Sequence, residues 1–99
     1  MVSYRLPHRS HDGYGLKSYF FDELKTKDVA LVITVDCGTR DIEPIRYAQS
    51  LGIDVIVTDH HAVPEIIPEE VIALLNPKRK DSLYPFPHLA GAGVAFKLL

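Results

Sequence analysis

Asp59, His60 and His61 stand in a row directly behind the apolar run Ile53-Asp54-Val55-Ile56-Val57-Thr58, and Asp36 closes a similar run, Ala30-Leu31-Val32-Ile33-Thr34-Val35. A carboxylate beside imidazoles is a mixed oxygen and nitrogen donor set, which suits manganese, zinc or iron better than calcium. If the two runs are adjacent strands in register, Asp36 and the triplet share one rim, within reach of one ion. Each group also has an ordinary role. An Asp before a Gly-containing turn at a strand end serves as a turn or helix-cap residue, and surface histidines are common. The triplet is the harder one to read as structure alone. Three consecutive polar groups behind a buried strand need partners, and two imidazoles beside a carboxylate divide naturally into a ligand and a group that orients it. Cys37 reads as a small buried filler, because no basic neighbour in sequence would lower its thiol pKa.

The elements that must position these residues are legible on either side of them. Between the two runs, Ile42, Ile45, Ala48, Gln49 and Leu51 fit a helix that Thr39 or Asp41 can cap, that tolerates Pro44 in its first turn and that stops at Gly52. Strand, helix, strand in about thirty residues is a βαβ unit, which requires parallel pairing and a right-handed crossover. Ligands in such sheets gather outside the carboxyl ends of the strands, where Asp36 and the triplet lie. The β-branched run from Ala30 predicts a strand buried on both faces. Upstream, Tyr4 to Gly15 has loop chemistry, with Gly15 at the entry to a helix carried by Leu16, Tyr19, Phe20 and Leu24 as far as about Lys25. Downstream, Val71 to Leu75 predicts a third strand closed by Asn76-Pro77, and Lys78 to Lys80 a solvated loop. Tyr84 to His88 then forms a Pro-stiffened aromatic loop, its Tyr84 and Phe86 assigned to core or interdomain cover, ahead of a packed helix from Leu89.

Composition narrows the class. The 99 residues carry 11 Lys+Arg against 13 Asp+Glu, a formal charge of −2, so there is no polybasic tail and strong nonspecific DNA binding by this chain alone is disfavoured. With 46% hydrophobic and 24% charged residues the chain matches soluble globular proteins rather than disordered or collagen-like ones. A domain of this size buries only about 60–70% of its unfolded surface. One cysteine builds no disulfide framework. There is no signal-peptide apolar region and no run near the roughly 18 apolar residues of a membrane span. The expectation is a soluble, cytoplasmic chain without membrane partners.

Val57-Thr58-Asp59-His60-His61 resembles the motif that names the DHH phosphoesterase superfamily, and Val35-Asp36-Cys37-Gly38 resembles its preceding strand-end aspartate motif. Further segments are similar to the RecJ-type single-strand-specific exonucleases. These are Leu6-Pro7-His8-Arg9 with Gly13-Tyr14-Gly15-Leu16, Leu75-Asn76-Pro77-Lys78, Tyr84-Pro85-Phe86, and Leu89 through Leu98. The resemblance implies an α/β fold, a parallel sheet with flanking helices in Rossmann-like βαβ layers. It also implies hydrolysis of single-stranded DNA from its 5′ end, with two Mn²⁺ or Mg²⁺ ions about 4 Å apart activating water. Carried over by position, Asp36 and His60 are metal ligands, while Asp59 and His61 are catalytic, orienting the imidazole or contacting the scissile phosphate. The family's first Asp-x-Asp motif and its fourth aspartate motif have no counterpart here. Residues 1–99 are therefore expected to be a partial DHH domain, inactive in isolation, whose full-length enzyme has a single-strand-binding protein or a helicase as partner.

Two other readings remain open on sequence. One keeps the superfamily and changes the substrate to short oligonucleotides, cyclic dinucleotides or pyrophosphate, which Asp36 and the triplet do not distinguish; the RecJ-like flanking segments favour DNA. The other is a non-catalytic α/β module that binds a nucleotide, nucleic acid or protein. Arg9 and Tyr14, with Arg5, His8 and Tyr4 nearby, are candidate nucleic-acid contacts for phosphate and base; packing of the loop by its own aromatics is the ordinary alternative. Gly91 and Gly93 read as close helix packing rather than a phosphate cradle.

Overall fold

The structure, a computed structural model, describes residues 1–99. In chain order it contains α1 (Ser18–Thr26), β1 (Leu31–Val35), α2 (Ile42–Ser50), β2 (Asp54–Thr58), β3 (Ala73–Leu75) and α3 (Gly91–Leu98). The strands form one parallel sheet in the order β1-β2-β3. Its register aligns the strand ends. Leu31 pairs with Asp54 and Val35 with Thr58, so β1 and β2 end level with each other, and Thr58 pairs in turn with Leu75 of β3.

Alternation along the strands puts Val55 and Val57, their register partners Val32 and Thr34, and Leu74 on one face. Phe21 of α1 and Ile45 and Ala48 of α2 pack there with Ile53, forming the apolar core. Ile45 and Ala48 are three residues apart, as are Phe21 and Leu24, so each helix shows one stripe to the sheet. The α3 helix packs against β1 and β2. No helix is long and apolar enough to cross a membrane.

Several expectations need correction. The β1 strand is not buried on both faces: Leu31, Ile33 and Val35 are 46–52% exposed. Within these 99 residues it lies at the edge of the sheet, and α1 and α2 both lie on the opposite face. Neither Thr39 nor Asp41 caps α2 through its side chain. Asp41 occupies the N-cap position, but its Oδ2 accepts from the Leu16 amide at 3.1 Å, clamping the entry to α1. The third strand is shortened to three residues, although the Ile72 amide already donates to Val55 O at 2.9 Å. Within the Lys78 to Lys80 loop, Arg79 is half-buried, donating to Leu74 O and pairing with Asp81. Of the two roles expected for Tyr84 and Phe86, core or interdomain cover, their exposure in this chain excludes the first.

Gly38 marks the tightest point of this frame. Its φ is +117°, and a Cβ there would lie 2.9 and 3.0 Å from the Val57 methyls and 3.1 Å from Thr34 Oγ1. Gly13 also has positive φ, +71°, but faces open space. Urea unfolding should therefore show Gly38→Ala destabilised by about 2–4 kcal/mol through strain and overlap together, and Gly13→Ala by about 1 kcal/mol through strain alone. Equal losses at the two positions would contradict the packing described.

Candidate metal centre

The level ends of β1 and β2 place the rim. One rung past the strands, the Asp36 amide donates to Thr58 O and the Asp59 amide to Leu75 O, each at 3.0 Å. The chain then leaves β1 through a tight turn. Asp36 adopts φ +67°, one of two non-glycine residues with positive φ, and Thr34 Oγ1 donates to Cys37 O at 2.7 Å. A Cβ on Gly91 would sit 2.5 Å from the Asp36 Cβ and Oδ1. Only glycine lets the first turn of α3 lie this close to the Asp36 side chain, and the positive end of the helix dipole favours a carboxylate there.

Behind the rim, Asp59 is 2% exposed. Its Oδ1 accepts from the amides of His60 (2.8 Å) and His61 (3.3 Å) and from His61 Nδ1 (2.6 Å), and its Oδ2 accepts from the Thr39 amide (3.1 Å). Burial alone would raise its pKa. The hydrogen bonds from Thr39, His61 and the His60 amide outweigh burial and hold the carboxyl below its ordinary value. Asn76, also buried, completes this shelf. Its Nδ2 donates to Thr39 Oγ1 at 3.1 Å and to His61 O at 2.9 Å, and its Oδ1 accepts from the Lys78 amide at 2.9 Å.

In front of the shelf, His60 Nε2 lies 2.7 Å from Asp36 Oδ1. One ligand atom each from Asp36, His60 and His61 fall within 4.8 Å of one another. An ionised Asp59 beside His61 Nδ1 makes that nitrogen the proton-bearing one, leaving the Nε2 lone pair free as a donor. The Tyr14 hydroxyl completes the rim: it donates to Asp36 O at 2.7 Å and lies 2.9 Å from His61 Nδ1. Tyr14, Gly38, Arg40, Asp41, Asp59 and His61 line an adjoining cavity of about 220 Å³.

Of the residues singled out in the sequence, Asp36, His60, His61, Asp59 and Tyr14 are thus brought together. Asp59 is buried and its carboxylate meets the ring of His61, not that of His60. Arg9 stays apart on the exposed loop and makes no ion pair or hydrogen bond. Arg5, by contrast, is paired with Asp12 and Glu23, each at 3.2 Å, over the Phe20 ring. The Cys37 thiol pKa is pushed up to about 12 by burial and by the carboxylates of Asp41, Asp59 and Asp36, consistent with an inert filler. Sequence reasoning missed Asn76 and Thr39 as supports, taking one for a strand stop and the other for a helix cap. It read Gly91 as a packing glycine, without seeing that the packed neighbour is Asp36.

The donor set fits a divalent ion such as Mn²⁺: one carboxylate and two imidazoles, one of them already oriented by a buried acid. The family model described as "DHH family, N-terminal domain" matches residues 1–99. The chain belongs to the DHH family. This DHH chain is 42% identical over 98 residues to the single-stranded-DNA-specific exonuclease RecJ of Salmonella typhimurium (strain LT2), a match covering 99% of the chain and 17% of the relative. It is also 42% identical over 97 residues to the RecJ of Bacillus subtilis (strain 168), covering 98% and 12%. A crystal structure of exonuclease RecJ bound to manganese matches with a TM-score of 0.75 at 35% identity, over 93% of this chain and 23% of that one. The DHH chain spans less than a fifth of the length of these curated relatives.

If Asp59 acts by holding His61, Asp59→Asn should weaken Mn²⁺ binding by about 10–100-fold although its oxygens lie behind the ligand cluster. Calorimetric titration measures this; unchanged affinity would remove Asp59 from the site. Asn76→Ala leaves the His61 carbonyl and Thr39 hydroxyl without their donor and should destabilise the chain by about 1–3 kcal/mol in urea unfolding.

Proposed function

We propose that residues 1–99 form part of the catalytic domain of a metal-dependent exonuclease that hydrolyses single-stranded DNA from its 5′ end. The observation that carries this reading is the Asp36-His60-His61 donor cluster on the carboxyl rim of a sheet that resembles a manganese-bound RecJ. Asp36, His60 and His61 would hold Mn²⁺ or Mg²⁺. Bound ions of this kind make hydroxide available at neutral pH and stabilise the attacking and leaving oxygens of a phosphodiester.

The chain's own residues have separable tasks. Asp36 supplies the negative charge and His60 and His61 the neutral nitrogen donors, while Asp59 keeps the His61 proton on Nδ1. Arg9 offers an unpaired, exposed guanidinium for bidentate contact to a phosphate. The Tyr14 ring, 65% exposed, offers a face on which a base can stack. A single-stranded substrate calls for a partner that supplies unpaired strand, such as a single-strand-binding protein or a helicase, and a DNA substrate together with one free thiol fits the cytoplasm.

Three ligand atoms fill only half of a six-coordinate shell, and a two-ion centre needs more still. The 99-residue chain should therefore bind Mn²⁺ at one site and leave a 5′-labelled single-stranded oligonucleotide intact. Calorimetry and a gel-based digestion test this together. Processive digestion by this chain alone would overturn the inference of missing ligands, and absence of Mn²⁺ binding would overturn the metal centre.

A further inference from the structure

We propose that Tyr14 is a positioning residue of the metal centre, acting through its hydroxyl, in addition to any contact its ring makes with nucleic acid. The proposal rests on the metal-centre reading. The hydroxyl joins three distant parts of the chain: it donates to the carbonyl of Asp36, 22 residues away, and meets the ring of His61, 47 residues away. The Tyr14 and His61 rings stand edge to face, with centroids 5.4 Å apart. One proton and one lone pair suffice for both contacts. The O–H is given to the Asp36 carbonyl, and the oxygen faces the Nδ1–H that Asp59 also accepts.

What the hydroxyl holds is the part of the site least able to hold itself. Asp36 stands in the turn just past β1, in the left-handed region at φ +67°, and its half-exposed side chain meets His60 at 2.7 Å. A residue in that region needs its surroundings to fix it. The loop carrying Tyr14 is in turn held on both sides. Gly13 and Gly15, at φ +71° and +88°, bracket the tyrosine. A Cβ on Gly15 would lie 2.9 Å from Asp41 Oδ1, and the next amide, of Leu16, donates to Asp41 Oδ2. On the other side Asp12 accepts from the His8 amide at 2.6 Å, from Arg5 at 3.2 Å and from the Tyr19 hydroxyl. Tyr14 is thus presented from a pinned loop with its hydroxyl turned inward and its ring left open, and a residue needed only for stacking has no use for the first of these.

Tyr14→Phe separates the two roles, since it keeps the ring and removes the hydroxyl, and Tyr14→Leu removes both. In the metal-free chain, Y14F should shift the Asp36 carbonyl ¹³C and the His61 ring ¹⁵N resonances while circular dichroism is unchanged. Titrated with Mn²⁺ alone, Y14F should bind about 10-fold more weakly than the parent chain, and Y14L no more weakly than Y14F. Parental Mn²⁺ affinity and parental resonances in Y14F would overturn the proposal, as would a loss seen in Y14L but not in Y14F. If the parent chain itself fails to bind Mn²⁺, the metal-centre reading fails, and the metal-free resonances still decide whether the hydroxyl holds Asp36 and His61.

Discussion

The candidate site depends on one buried negative charge. The Asp59 carboxylate is almost wholly removed from water, which is tolerable only because it accepts from three backbone amides and one imidazole. Those donors belong to the turn after β1 and to the triplet after β2, so meeting the needs of one carboxylate ties the two strand ends together. Asn76 extends the tie to β3 through Thr39 and the His61 carbonyl. The parallel register supplies the rim, and Asp59 makes it one object rather than three loop ends.

In front of that charge, close approach replaces hydrogen bonding as the organising constraint. Gly38 brings the turn down onto Val57 and Thr34, and Gly91 brings α3 against the Asp36 side chain. A small sheet with one half-open face has few apolar contacts to hold such geometry. The support comes instead from positions where no Cβ fits and from the Tyr14 hydroxyl. This division accounts for the burial pattern, in which the orienting acid lies inside while Asp36 and the two imidazoles remain accessible to an ion.

Much of this was legible in the sequence. Two β-branched runs about 23 residues apart, each followed by Asp, specify a βαβ unit and a shared rim by local patterning alone, and the triplet's composition pointed to a mixed oxygen and nitrogen donor set. The exposure of one face of β1 within these 99 residues was not legible, because an apolar run reads the same whether one face or both are covered. Nor was the direction of Asp59, since adjacent residues of a turn give no sign of which one points inward. The roles of Asn76, Thr39 and Gly91 were hidden for a related reason. Each acts on a residue between 15 and 55 positions away, and only the tertiary fold brings those partners into contact. The resemblance to the DHH motifs pointed to Asp36 and His60 as candidate ligands, but not to the arrangement in which His61 lies beside them and Asp59 stands behind.

The most direct test of this arrangement is an anomalous-difference map from crystals of the chain grown with Mn²⁺. The expected result is a peak within bonding distance of an Asp36 carboxylate oxygen and the free ring nitrogens of His60 and His61, with Asp59 still hydrogen-bonded to His61 behind it. A peak coordinated by Asp59 itself, or no peak on the rim at saturating Mn²⁺, would contradict it.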